Sequence, residues 1–204
     1  MDVVVRPEHS GLMELADLYR RTVETWTARV ESVPADRWDD PTPCTEWSVR
    51  DLVNHVVGED AWTVPLMRGA TMAEVGDSLD GDVLGDEPGP AALRSADEAL
   101  AVVAETLPAA PTVHLSYGDE EAAEYVRQLA ADHLVHAWDL AAAYGGDTSL
   151  DTDLVEDVAA WFKDREETYR QAGAVGPRTD SGGTPQADLL AAAGRDAAWA
   201  PPTR

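Results

Sequence analysis

Between positions 11 and 33 the apolar residues Leu12, Leu15, Tyr19, Val23, Trp26, Val30 and Val33 recur at intervals of three and four. That spacing gives a helix one apolar face and predicts an amphipathic helix over 11–33, which Pro34 stops. A polar loop through Asp39, Asp40, Pro41 and Pro43 follows. Ser48 with Asp51 three residues later is a capping-box signal for a second helix, bent or ended by Pro65. Residues 70–90 are rich in Gly and Asp and read as an irregular connection. A third helix is expected over 91–107. The alternation at 112–118 suggests a short extended segment, too isolated to build a sheet. Asp119 and Glu120 then place acidic charge at the start of a fourth helix that runs to Tyr144, where Gly145-Gly146 closes it. Asp151 caps a fifth helix bearing Leu154, Val158, Trp161 and Phe162; a polar stretch over 173–185 precedes a last short helix at 186–193.

The reading is all-α, with no internal repeat and no low-complexity tract. At 204 residues and 44% hydrophobic content the chain can bury one sizeable core. A formal charge of −24, from 39 acidic against 15 basic residues, argues against nucleic acid or an anionic membrane as partner. The acid is spread over helices and loops, as expected of a solvated surface. A single cysteine, Cys44, excludes an intramolecular disulfide and a four-cysteine zinc site, and fits a reducing cytoplasm. The N-terminus has no long apolar core behind a basic start, so a cytoplasmic, non-exported protein is expected. A homodimer is the default assembly. No Gly-x-Ser-x-Gly turn, phosphate loop or dinucleotide fingerprint is present.

The candidate chemistry lies in the fourth helix. Asp132 and His136 stand four residues apart, one turn on the same face, in a stripe that also carries Tyr125, Leu129, Leu140 and Ala143. A carboxylate in such a stripe costs several kcal/mol unless compensated. A buried ion pair or helix-to-helix hydrogen bonds would do so. So would a divalent cation, for which imidazole and carboxylate are ordinary ligands. His55, in line with Leu52, Trp62 and Leu66 on the second helix, is the candidate third ligand, contributed by a facing helix of a bundle.

Around these three, Glu59 sits one turn beyond His55 as an extra ligand, a general base or an ion-paired acid. Asp139 can accept a hydrogen bond from a ligand imidazole or face solvent. His133 reads as helix surface or as support for the ligands, and Cys44 as a packing residue. Trp62 and Trp138 are the expected pocket walls, and Arg50 and Arg127 the candidate anion contacts.

Three stretches carry a family resemblance. Thr42-Pro43-Cys44-Thr45-Glu46-Trp47-Ser48-Val49-Arg50-Asp51-Leu52-Val53-Asn54-His55, then Asp132-His133-Leu134-Val135-His136-Ala137-Trp138-Asp139-Leu140-Ala141, and finally Asp188-Leu189-Leu190-Ala191-Ala192-Ala193-Gly194-Arg195-Asp196 resemble the DinB-like superfamily. Within it they resemble the mycothiol-dependent maleylpyruvate isomerase N-terminal-domain group. The resemblance implies an antiparallel four-helix bundle with extra short helices and a C-terminal extension, divided here as 1–172 for the bundle and 173–204 for an extension whose short helix packs on it.

It also implies a divalent metal on His55, Asp132 and His136, zinc foremost, with nickel, manganese or iron compatible, and mycothiol as cosubstrate. The implied function is a thiol transferase or isomerase acting on a small electrophilic substrate. A non-catalytic metal- or ligand-binding bundle, and a metal-dependent hydrolase using a bound water, are the alternatives. The departure is Asp132, where the isomerases of the group are expected to carry glutamate. They also carry a second domain, for which 204 residues leave no room.

Overall fold

Ser48 starts the second helix as its spacing predicts. In the computed structural model its hydroxyl accepts from the backbone N–H of Asp51, and the Asp51 carboxylate accepts from the backbone N–H of Ser48 at 2.9 Å. The structure describes residues 13–202, so Gly11, Leu12 and the extreme N-terminus considered for targeting lie outside the described residues.

The helices are α1 (Leu15–Glu31), α2 (Val49–Met67), α3 (Met72–Val75), α4 (Pro88–Thr106), α5 (Ala122–Tyr144), α6 (Thr152–Phe162), α7 (Glu166–Gln171) and α8 (Pro185–Ala192). A hairpin of β1 (Thr112–Leu115) and β2 (Gly118–Glu121) precedes α5. Pro65 falls in the last turn of α2, which ends two residues later. Gly145, with φ +73°, ends α5 as expected, its N–H and that of Gly146 returning to Ala142 and Ala141. No helix among the described residues is long and apolar enough to cross a membrane.

The fold is an all-α, DinB-like four-helix bundle in which α1 packs along α5 and α2 along α4, while α6 lies against α5 and α8 against α6. Of the predicted stripe on α1, Tyr19, Val23, Trp26 and Val30 are buried, Leu15 and Val33 half-buried, and Leu18 joins the core beside them. Leu134 and Trp138 of α5 share one core with Leu154 of α6 and Leu189 and Leu190 of α8. Leu140 joins a second with Trp26, Leu52 and Val56. Residues 133–143 of α5 are buried without a break, so this helix is wrapped on every side.

Two short helices were not legible. α3 stands on its own capping box, Thr71 with Glu74, inside the stretch read as irregular, and α7 is six largely polar residues. Neither is long enough to show a period. The extended segment also differs from expectation: its partner is its own continuation, with Val113 opposite Glu120 and Leu115 opposite Gly118. Asp119 and Glu120 therefore belong to β2 and do not open the helix. The run Gly-Asp-Glu-Glu has no apolar alternation to announce a strand; pairing with β1 imposes it.

Glu124, in the first turn of α5, ties that helix to the α6–α7 junction. It accepts from Arg165 Nη2 at 2.8 Å and Nε at 2.5 Å, and from Trp161 Nε1 at 3.1 Å. The guanidinium also lies 4.8 Å from the Trp161 ring centroid. Burial acts to raise the Glu124 pKa, but the Arg165 and Trp161 bonds prevail and hold it below the ordinary value. A depressed folded-state pKa gives stability that is complete above the unfolded carboxylate value and lost as pH falls through the folded one. Glu124→Gln should therefore lower stability at pH 7 by about 1 kcal/mol, allowing for solvent screening. Thermal melts of both proteins should converge as the pH drops toward about 3, below the ordinary carboxylate range.

Candidate metal centre

α2 and α5 bring the three expected donors together. His55 Nε2 lies 3.5 Å from Asp132 Oδ2, and His136 Nε2 lies 3.3 Å from Asp132 Oδ1. The nitrogen and oxygen donor atoms of His55, Asp132 and His136 all fall within 4.8 Å of one another. Asp132 Oδ2 is buried yet has no hydrogen-bond partner. Two imidazole nitrogens and an unsatisfied carboxylate oxygen converging in this way fit the ligand chemistry of a divalent cation.

The outer face of His136 is fixed. Its Nδ1–H donates to Asp139 Oδ2 at 2.9 Å, which turns Nε2 toward Asp132 and His55. Asp139 is fully buried and receives Arg195 through Nη2 at 2.9 Å and Nε at 3.1 Å. Burial would push the Asp139 carboxyl up, but Arg195 and His136 together hold it below its ordinary value. For His136, burial disfavours the imidazolium, yet the carboxylates on either side raise its pKa well above the ordinary value. The site is built to hold positive charge.

A second donor group, Cys44, His136 and Asp139, shares the same imidazole. Arg195 already brings a cation to that side, donating to Cys44 Sγ at 3.1 Å as well as to Asp139, and the Cys44 thiol donates to Asp139 Oδ2 at 3.2 Å. A guanidinium in place repels a second cation there, so the His55 side is the better ion site.

The triad opens on a cavity of 620 Å³. His55 and Asp132 expose 30% and 33% of their side chains, His136 only 6%. Trp47 lies over His55, ring centroids 4.9 Å apart, and reaches His136 at 6.1 Å. Glu59 lines the cavity, and burial together with Asp132 raises its pKa. Trp62 and Trp138 do not line it, contrary to expectation: Trp138 is 2% exposed and both pack on the core. Trp138 lies two residues past His136 and so points to the other side of α5. Trp62 shares the His55 face, but seven residues put it about 10 Å further along the axis.

His133 is neither surface nor support for the triad. It is fully buried, donating Nδ1–H to the Leu129 carbonyl at 2.8 Å, with Nε2 3.1 Å from Asp60 and Tyr19 edge-on to its ring. Arg50 is engaged with Asp82 and the Gly85 carbonyl, Arg127 with Asp157, and neither lines the cavity. Cys44 is more than packing, since Arg195, Asp139 and His136 all surround it. Arg195 and Trp47 are the residues sequence reasoning missed; the glycine before Arg195, just past a helix end, was the available signal.

The comparisons agree with this architecture. The family model described as mycothiol maleylpyruvate isomerase N-terminal domain matches residues 19–141, more than half of the chain. The chain belongs to this family. Two uncharacterised proteins, from two strains of Mycobacterium tuberculosis, are each 33% identical over 177 residues, covering 83% of this chain and 84% of the relative. The crystal structure of the mycothiol-dependent maleylpyruvate isomerase superposes with a TM-score of 0.59 at 15% identity, over 82% of this chain and 74% of that one. At that identity the likeness speaks for the fold.

In this family member Arg195 is delivered by a helix end. Gly194 N–H returns to Ala191 O and Arg195 N–H to Leu190 O, the paired bonds of a Schellman turn. Gly194 has φ +78°, and a Cβ there would stand 2.9 Å from the Gly176 backbone. Gly173, at φ +76° with open space around its missing Cβ, separates the two effects. Gly194→Ala should cost at least about 2 kcal/mol in urea unfolding, and more than Gly173→Ala, which bears the backbone strain alone.

Proposed function

We propose that His55, Asp132 and His136 hold one divalent metal ion, zinc foremost, and that the chain is a mycothiol-linked transferase or isomerase acting on a small electrophile. The observation that carries this is the unpartnered Asp132 Oδ2 between two imidazole nitrogens at the floor of an open cavity. A structural ion is enclosed by its ligands, whereas this donor set faces free space, as a reacting site must. The family's description and the name of the structural neighbour both carry mycothiol, which supports the thiol.

When bound, the ion would lower the pKa of a coordinated thiol and favour thiolate near neutral pH. The other roles belong to side chains. Asp139, itself held by Arg195, keeps the proton of His136 on Nδ1. Trp47 covers His55 and His136 and keeps water from that side. Glu59, raised by burial and by Asp132, is placed on the cavity wall to accept a proton from the incoming thiol and return it to the product.

Elemental mass spectrometry on tag-free protein tests the first half. About one equivalent of metal is expected, lost when His55→Ala, Asp132→Ala and His136→Ala are combined, as three ligands demand. Wild-type protein that stays metal-free after reconstitution would overturn it. Asp139→Asn should retain the fold and weaken metal affinity by about 10–100-fold, the usual effect of removing a ligand's own hydrogen-bond partner. Absence of any mycothiol conjugate across a panel of electrophiles, with the metal in place, would remove the second half.

A further inference from the structure

The cavity has two unlike ends. One carries the donor triad with Glu59; the other, formed by α6, α7 and the segment at 174–176, is walled by Trp161, Phe162, Tyr169, Val158 and Val175. The three rings of that wall pack together with centroids 5.5–6.1 Å apart, two of the contacts edge to face. Trp161 and Phe162 are only 7% and 5% exposed, so they are held in place.

Among the described residues no Lys or Arg on the cavity wall is free to meet an anion. Among the described residues lining the cavity the only Lys or Arg is Arg195, engaged by Asp139, the Ala193 carbonyl and Cys44. Behind the wall, Arg165 is committed to Glu124, and Arg170 to Glu166 and to the Gly176 and Ala192 carbonyls. At the other end Glu59 and Asp132 add negative charge. A substrate carboxylate lying against the rings would lose its water and find no partner.

We propose that this cavity takes an uncharged small molecule with a flat aromatic body, laid against Trp161, Phe162 and Tyr169, and discriminates against dicarboxylates. The proposal rests on the reading of the triad as the reacting end, since that end fixes where the electrophilic atom must point. A volume of 620 Å³ accommodates a two-ring molecule beside the triad.

Binding of 2-naphthol and of fumarate, measured by calorimetry on chelated and on zinc-loaded protein, tests it. In the chelated protein, where no ion can recruit a carboxylate, 2-naphthol should bind at least about tenfold more tightly than fumarate, and zinc should not weaken it. Val175→Arg sets a cation in the apolar wall and should shift the ratio toward fumarate by about tenfold. Fumarate binding as tightly as 2-naphthol to the chelated wild type, or a Val175→Arg protein with an unchanged ratio, would overturn the proposal. A naphthol preference in protein that never takes up zinc would support the apolar wall while refuting the metal reading.

Discussion

The structure depends on carrying ionised groups through a helix that water does not reach. Residues 133–143 of α5 are buried without a break, yet His136 and Asp139 lie in that run and Asp132 at its edge. Each buried carboxylate is costly unless matched, and the match is a line of alternating charge: Arg195 to Asp139, Asp139 to His136, His136 to Asp132, Asp132 toward His55. The line is anchored at the Arg195 end, where every partner is close. It is open at the other, where Asp132 Oδ2 has no hydrogen bond. Charge closed at one end and unsatisfied at the other makes the open end the place where a cation would fit. This also gives the C-terminal segment its part: the Schellman turn at Gly194 supplies the counter-charge on which the α5 carboxylates rely.

A second polar cluster on α5 shows the contrast. His133 meets Asp60 of α2 and the Leu129 carbonyl beneath Tyr19, and all of Tyr19, Asp60 and His133 are essentially unexposed. Burial acts against the His133 imidazolium, but Asp60 raises its pKa, even though neither Asp60 oxygen nor His133 Nε2 completes a hydrogen bond. His133 follows Asp132 by one residue, about 100° round the helix, which turns it from the cavity into the bundle. The same residue types on adjacent positions thus have different surroundings: one set is sealed between α2 and α5, the other borders the cavity.

The main helices and the Asp132–His136 pair were legible because both rest on short-range spacing, whereas joining His55 to the pair drew on the family resemblance. The stripe on α1, the Ser48–Asp51 box and the i, i+4 pair Asp132 and His136 repeat within a few residues, and His55 fell in line with apolar neighbours on its own helix. What escaped rests on contacts far apart in the chain. Cys44 and Arg195 touch across 151 residues, and no local pattern links them. The cavity walls were misplaced for a related reason. A helical wheel gives the direction of Trp62 but not its height along the axis, and the actual aromatic wall, Trp161 and Tyr169, is set by how α6 and α7 fold back on α5. Asp119 and Glu120 look like a helix start by composition, and only pairing with β1 makes them a strand.

The loop before α2 covers one side of the triad. Glu46 adopts φ +71°, a left-handed conformation that costs a non-glycine residue about 1–3 kcal/mol. It persists because the loop is fixed on both sides: Thr42 Oγ1 donates to the Trp47 carbonyl at 3.0 Å and accepts from the Cys44 N–H at 3.2 Å, and Pro41 bridges Ser48. A relaxed backbone at Glu46 would turn Trp47 elsewhere and uncover His55. With the strain in place, Trp47 shields the two histidines and Cys44 meets Arg195. That side of the triad is closed by a rigid turn continuous with the capping box of α2. The triad shares its cavity with the rings of Trp161, Phe162 and Tyr169, so a molecule on the donors has that aromatic wall within the same space.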